Sequence, residues 1–489
     1  MQVILFTDIA DTIGYGKYAG TYKLATEVRN HGYSCQVVDL FSFYSYEQLE
    51  TIVDKFVTSD TVLIGFSCSL MDKRVGNDVY NFGRPDEEFV SLIHYAKSKN
   101  SKVKICLGGA RITLNSYWEG VDYIVVNKGD TALIKLLKHL IDGDDLKTVK
   151  QTPCNVIDGN DYFYTQEQFA ASSILYTNND IIFTGEALPV EIARGCVFSC
   201  AFCRFDLIGK KIGDWQKHSE VLRDELIRNY ELYGTTHYMF SDELINESLP
   251  KMQLIYDVFT KLPFKITYTA YARLDLIWRF PEMREMLLET GAVSLQFGIE
   301  TMNDIAGKKI GKGLGEKKIK DTLAYIGETW KGKIITSSNF IIGLPGEDEA
   351  SVRRTFDYLA NGDCSLDIFT FLPLYIRSEN DGRNVSKIER DPKKFGYEIV
   401  EGEPWHNAQM DFATAQNLVK EFWSNPKMIR RSKFAGATWL GRILNLGYSM
   451  EEIFKMMLDT ETNATILKTN FRNKSLEKKQ QYYEQLINI

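Results

Sequence analysis

Short apolar runs alternate with amphipathic stretches along the first 145 positions. Val3–Thr7, Ser34–Leu40, Val62–Phe66, Val103–Leu107 and Tyr123–Val126 read as buried strands. Between them Tyr22–His31, Tyr46–Val57, Glu87–Ser98 and Thr131–Ile141 carry apolar residues at helical spacing. Strict alternation of strand and helix predicts an α/β domain with a doubly wound, Rossmann-like parallel sheet over residues 1–145. Such sheets bind ligands at the carboxyl ends of their strands, so the informative loops are Asp8–Gly20, Ser67–Leu70, Gly108–Arg111 and Asn127–Asp130.

Residues 146–187 lack a sustained period and carry turn signals at Asp158-Gly159-Asn160-Asp161 and Asn178-Asn179-Asp180, so they read as a linker. The alternation resumes over 188–374. Val190–Ala193, His237–Phe240, Ile266–Ala270, Val293–Gly298, Ile334–Ile342 and Leu366–Phe371 are its expected strands. Six β/α units predict a partial (β/α)6 barrel with its chemistry at the strand carboxyl ends. Residues 375–489 read as mainly helical, with Phe412–Phe422, Lys427–Leu444, Met450–Leu458 and a polar helix over Asn473–Gln485. Trp405 and the Trp423–Trp439 stretch supply aromatic surface for a cap over the barrel mouth, or else core.

At 489 residues, with 44% hydrophobic and 25% charged positions, the chain has ample material for several cores. A net charge of −7 argues against a broad grip on nucleic acid. Lys308–Lys312 with Lys317-Lys318 is a local basic run, read as a solvated helix face before an anion site. The apolar start Met1–Phe6 is too short for a signal peptide or a membrane span. Cys35, Cys68, Cys106, Cys154 and Cys364 are scattered and read as buried free thiols, consistent with a reducing, cytoplasmic setting.

The other three cysteines share one loop, Cys196, Cys200 and Cys203, in the order CxxxCxxC just after a predicted strand. Three thiolates there can hold three irons of a four-iron, four-sulfur cluster and leave the fourth open to a small chelating molecule. A closed zinc site needs a fourth protein ligand, and only His218, beyond a Gly-Lys-Lys-Ile-Gly loop, could fold back to supply one.

The loop resembles the cluster motif of the radical S-adenosylmethionine (SAM) superfamily, CxxxCxΦC, with Phe202 at the aromatic place. The resemblance implies that Cys196, Cys200 and Cys203 ligate a 4Fe-4S cluster while SAM chelates the fourth iron. Reductive cleavage then yields a 5′-deoxyadenosyl radical that takes hydrogen from unactivated carbon. Further stretches are similar to the family's SAM contacts. Asp242 and Glu243 fall where the SAM amino group is held, with a dipole-stabilised helix start as the structural alternative for Glu243. Arg273 falls where a bidentate grip on the SAM carboxylate is expected, with an Arg273–Asp275 pair as the competitor. Glu300 in Gly298-Ile299-Glu300 falls at the ribose hydroxyls, and Gly343–Glu347 reads as a structural turn.

The first domain resembles the cobalamin-binding domain preceding many radical SAM cores. Ser67 and Ser69 match its serine motif, Gly108 and Gly109 its paired glycines, and Gly129-Asp130 the start of its last helix. Ile13 stands where cobalt-ligating members carry histidine, so a bound cobalamin would lack a protein lower ligand. The resemblance implies a cytoplasmic enzyme that methylates an unactivated carbon of a small-molecule or peptide substrate. It also implies an external electron donor such as flavodoxin or ferredoxin. Rearrangement or cyclisation without methyl transfer stays open. So do a methylthiotransferase-like enzyme with a second cluster on Cys35, Cys68 and Cys106, and a non-catalytic cobalamin or iron-sulfur binding protein.

Overall fold

Fully apolar tetrads such as Val3–Phe6 have no polar face to offer water, so they settle in the middle of a parallel sheet covered on both sides. The computed structural model describes residues 1–9, 14–71, 86–361, 364–377, 384–400, 403–426, 439–458 and 464–489. Its chain divides into two units, one built from Met1–Thr184 with Phe471–Ile489, the other from Gly185–Glu379 with Asn384–Asn470.

The first unit holds a six-stranded sheet of β1 (Val3–Phe6), β2 (Cys35–Val38), β3 (Leu63–Ser67), β4 (Lys104–Gly108), β5 (Tyr123–Val126) and β6 (Asn155–Asp158). Its order is β2-β1-β3-β4-β5-β6, every pairing is parallel, and the strand order reverses between β1 and β3. Phe6 stacks on Phe66 at 5.0 Å, and Phe89 sets its ring on Phe66 and on Trp118 at 4.8 Å each. These contacts fix the helix Glu87–Lys99 to the sheet.

Two elements depart from the sequence reading. The expected linker contributes β6, which pairs with β5 from Tyr123↔Asn155 to Val126↔Asp158. Only Val156 and Ile157 of that strand are buried, too few for a readable alternation. The polar helix near the end runs from Ala464 to Asn488 and, from Phe471 onward, belongs to the first unit. Its Tyr482 hydroxyl accepts from the Asp39 amide at 3.1 Å, and Ser475 donates to the Gly14 carbonyl at 2.9 Å. The Tyr482 ring also lies 4.5 Å from the Lys17 ammonium, which is buried and paired with Asp39 at 2.8 Å.

The second unit holds β7 (Leu188–Val190), β8 (His237–Phe240), β9 (Thr267–Ala272), β10 (Ala292–Glu300), β11 (Ile335–Ile342) and β12 (Ile368–Pro373). They pair in parallel and in sequence order, β7 and β12 forming the open edges, as a partial (β/α)6 barrel requires. Register puts Thr269, Tyr271, Gln296, Ser337 and Asn339 on one face of this sheet. The other face carries Phe297, Phe340 and Phe371, packed on Trp330 and Phe356 of the surrounding helices. Trp405 is core: it is fully buried, and its indole donates to the Leu374 carbonyl at 2.7 Å. Residues 427–438 of the expected helix lie outside the described residues, whereas Trp439–Leu444 is helical. Among the described residues no helix is long and apolar enough to cross a membrane.

Candidate active site

The chain leaves β7 and turns at once into the three-cysteine loop. Gly195 makes the turn with φ 77°, and a Cβ there would lie 2.5 Å from the Leu207 side chain. The loop is tied down along its length. Cys196 N donates to Leu207 O at 3.2 Å, Gly209 N to Cys196 O at 2.8 Å, Cys203 N to Cys200 O at 3.2 Å and Ala201 N to Ile310 O at 3.0 Å. Cys196 and Cys200 are buried and Cys203 is partly exposed. Burial pushes the Cys196 thiol up to about 11, and burial also raises Cys203.

Among the described residues no three His, Cys, Asp or Glu side chains converge closely enough to chelate one metal ion. Three thiols on one short loop are the donor set that a four-iron, four-sulfur cluster takes, one sulfur to each of three irons, and they fit such a group.

The residues expected around SAM are brought to this loop, with different commitments. Asp242 is buried and accepts from Ile192 N at 2.7 Å, Ala193 N at 2.8 Å and the Lys251 ammonium at 2.7 Å. Its role here is to anchor the strand end that carries the cysteines. Glu243 is half-buried, and burial together with the nearby Asp242 and Glu191 carboxylates pushes it up to about 7, against its backbone hydrogen bond and Lys251. The Arg273 fork is filled by Asp275 at 2.8 and 2.7 Å, so the edge suited to a carboxylate is already occupied. Its remaining nitrogen donates to Cys200 Sγ at 3.4 Å, and the guanidinium lies 3.8 Å over the Phe198 ring.

Glu300 follows a register shift in β10 and holds φ 67°, a left-handed conformation unusual for a glutamate. Lys312, read from sequence as part of a solvated face, is instead turned inward. It donates to Gly298 O at 2.7 Å and stands 3.6 Å from the Glu300 carboxylate. Leu274, Gly298, Ile299, Thr301 and Lys312 line a cleft of about 360 Å³ including its mouth. The Glu347 carboxylate closes the Gly343–Glu347 turn, accepting from Thr301 Oγ1 at 2.7 Å and Gly343 N at 3.1 Å. Phe202 is half-buried within the loop. Sequence reading missed Lys210, Glu247 and Lys251, whose buried ion pairs of 3.1 and 3.7 Å link the loop after the cysteines to the loop after β8. Lysine and glutamate in turns give no sequence signal that they will be buried.

In the first unit Ser67 and Gly108 pair across β3 and β4, and Ser69 Oγ accepts from Ala110 N at 2.9 Å. Gly109 has φ 108°, and a Cβ there would meet Ser69 Oγ at 2.6 Å. Above Gly108 a Cβ would find only Val125 O at 3.8 Å, an opening at the strand ends of the kind a nucleotide tail needs. Gly129 caps the helix Asp130–Asp142. Ile13 and its neighbours Asp11 and Thr12 lie outside the described residues. Cys35 begins β2, level through Val3 with Leu63 at the amino end of β3, whereas Cys68 follows the carboxyl end of β3; burial raises Cys35, Cys68 and Cys106 well above the usual thiol range.

Residues 190–359, all within the second unit, match the sequence profile of the Radical SAM superfamily. Among curated relatives, bacteriochlorophyllide d C-12(1)-methyltransferase of Chlorobaculum tepidum is 22% identical over 189 residues, 38% of this chain and 40% of that protein. The ribosomal protein uS12 methylthiotransferase RimO of a Polaromonas species is 24% identical over 237 residues, 41% of this chain and 49% of its own. The match thus spans about half the length of these relatives or less. Among solved structures, the radical SAM methyltransferase TsrM from Kitasatospora setae, with cobalamin and a [4Fe-4S] cluster bound, aligns with a TM-score of 0.64 at 14% identity. That alignment covers 97% of this chain and 100% of TsrM. The fold, in both of its sheets, is shared.

Proposed function

We propose that the chain is a cytoplasmic radical SAM enzyme that uses cobalamin to transfer a methyl group to an unactivated carbon of a small-molecule or peptide substrate. Cys196, Cys200 and Cys203 would hold the 4Fe-4S cluster, which when bound supplies the electron that cleaves the SAM sulfonium. The observation that carries this reading is the single tied-down loop bearing three thiols, inside the segment that matches the superfamily profile.

The chain's own residues divide the remaining work. Asp242 and Lys251 fix the loop from behind. Glu243 and Glu300, the latter next to the cleft, would accept from the amino and ribose groups of SAM. The face carrying Thr269, Tyr271, Gln296, Ser337 and Asn339 offers hydroxyls and amides and suits an uncharged polar substrate. Ser67, Ser69, Gly108, Gly109 and Gly129 would border cobalamin in the first unit. Cys35 at the amino end of β2, the opposite end of the sheet from the one Cys68 follows, weighs against a second cluster there.

Anaerobic incubation of the reconstituted protein with SAM and a strong reductant, with and without cobalamin, tests the reading by mass spectrometry. The expected products are 5′-deoxyadenosine and cobalamin-dependent S-adenosylhomocysteine. Deoxyadenosine alone would remove methyl transfer, and a Cys200→Ala variant that cleaves SAM as well as the parent would sink the assignment.

A further inference from the structure

Two segments bracket the outer side of the cysteine loop. Ala201 donates its amide to Ile310 O at 3.0 Å and accepts from Ile388 N at 3.0 Å. Lys387 reaches from the second segment to Ser199 O and Oγ at 2.8 and 2.9 Å. Each segment presents cations to solvent: Lys308 and Lys309 from one, Lys387, Arg390, Lys393 and Lys394 from the other. None of the six is in an ion pair among the described residues.

The acids of these segments do not cancel that charge. Glu389 turns inward, where Arg204 and Arg377 bind it at 2.8 Å each; burial would raise its carboxyl, but these hydrogen bonds hold it down at about 2. Asp304 and Asp391 are exposed and keep their charge while accepting backbone amides, Glu316 N at 2.7 Å and Lys394 N at 3.2 Å, and the six cations outnumber them. Two apolar side chains of the same segments and loop are exposed, Phe205 at 63% and Ile305 at 60% of full accessibility. Phe205 is two residues from Cys203, which is also the least buried of the three thiols. A cluster of exposed cations on the two segments bonded to the cysteine loop, on a chain of net charge −7, is complementary to an acidic partner.

We propose that this face is the docking surface for a small acidic one-electron carrier protein of the flavodoxin kind, delivering its electron through the Cys203 side of the loop. The inference rests on the cluster reading above. In the transfer the carrier's anionic flavin hydroquinone gives up one electron and is left as the neutral semiquinone. The oxidised cluster takes that electron, and no bond forms or breaks.

The test uses the full chain with its cluster reconstituted and iron and sulfide quantified. Reduction is followed by the loss of the cluster's visible absorption, with reduced flavodoxin in one arm and photoreduced deazaflavin, which needs no docking surface, in the other. K308E/K309E and K393E/K394E are made separately, so that a folding defect in one leaves the other. The expected result is a flavodoxin rate lower by about tenfold in each variant, with a flattened salt dependence, and an unchanged deazaflavin rate. An unchanged flavodoxin rate in both variants overturns the surface, as does a parent protein reduced by deazaflavin but not by flavodoxin. A protein that takes up no iron and sulfide overturns the proposed function, and this surface with it.

Discussion

Arg273 donates to Cys200 Sγ at 3.4 Å while Asp275 holds the other edge of its guanidinium. A cation and a hydrogen bond directed at a ligand sulfur favour the more negative, reduced state of an iron-sulfur cluster. Arg273→Met is therefore expected to move the cluster midpoint to more negative potential, and Arg273→Lys to move it less, since lysine keeps the charge but loses the fork. Potentiometric titration followed by electron paramagnetic resonance reads this directly; equal midpoints in all three proteins would leave Arg273 a purely structural residue.

Asp242 satisfies two backbone amides and one buried ammonium at once. Asp242→Asn leaves Lys251 without its nearest counter-charge, and removing one partner of a buried pair costs about 3–5 kcal/mol. Urea denaturation should show that loss, together with reduced iron uptake.

The Glu347 carboxyl sets a pH dependence of stability. Burial pushes it from 4.5 to about 7, against hydrogen bonds from Thr301 and the Gly343 and Leu344 amides. Below pH 4.5 the group is protonated whether the chain is folded or not. Between there and about 7 the folded chain keeps a proton that the unfolded chain releases, so rising pH favours unfolding, and above about 7 the effect is complete. Relative to Glu347→Gln, the parent should lose about 3 kcal/mol across that window, measured by urea midpoints at a series of pH values.

At Gly343, φ is 97° and a Cβ would stand 2.4 Å from the Trp405 ring, whose own position is fixed by its bond to Leu374 O. Gly343→Ala adds a left-handed backbone penalty to an overpacked contact, together about 3 kcal/mol. A fall in thermal midpoint with Trp405 fluorescence shifted toward that of exposed indole would bear this out.

Most of the frame was legible because buried parallel strands write themselves as apolar runs: β5 and β8 match their expected ranges residue for residue. The cysteine loop stood out in the sequence because the spacing of its three thiols is local. What escaped depends on distant partners. β6 is held by Gly159, where a Cβ would lie 1.7 Å from Lys128 O, and by the Asn127 amide donating to Asp158 at 2.8 Å, neither visible as a pattern. The last helix does bury Phe471, Ser475, Lys479, Tyr482 and Leu486 at helical spacing. The serine and the lysine disguised the stripe. Nothing in the segment of Asp242 announces that it accepts from the amides of Ile192 and Ala193, about fifty residues earlier.

That last helix also orders how the molecule comes into being. The six strands of the first unit emerge from the ribosome well before residues 471–489, which include the Tyr482 that seats over Lys17 and Asp39. Until then the newly made sheet carries a buried-type ion pair with one wall missing, while the whole second unit is synthesised in between. The sheet of the first unit is thus completed only after the second unit has been made.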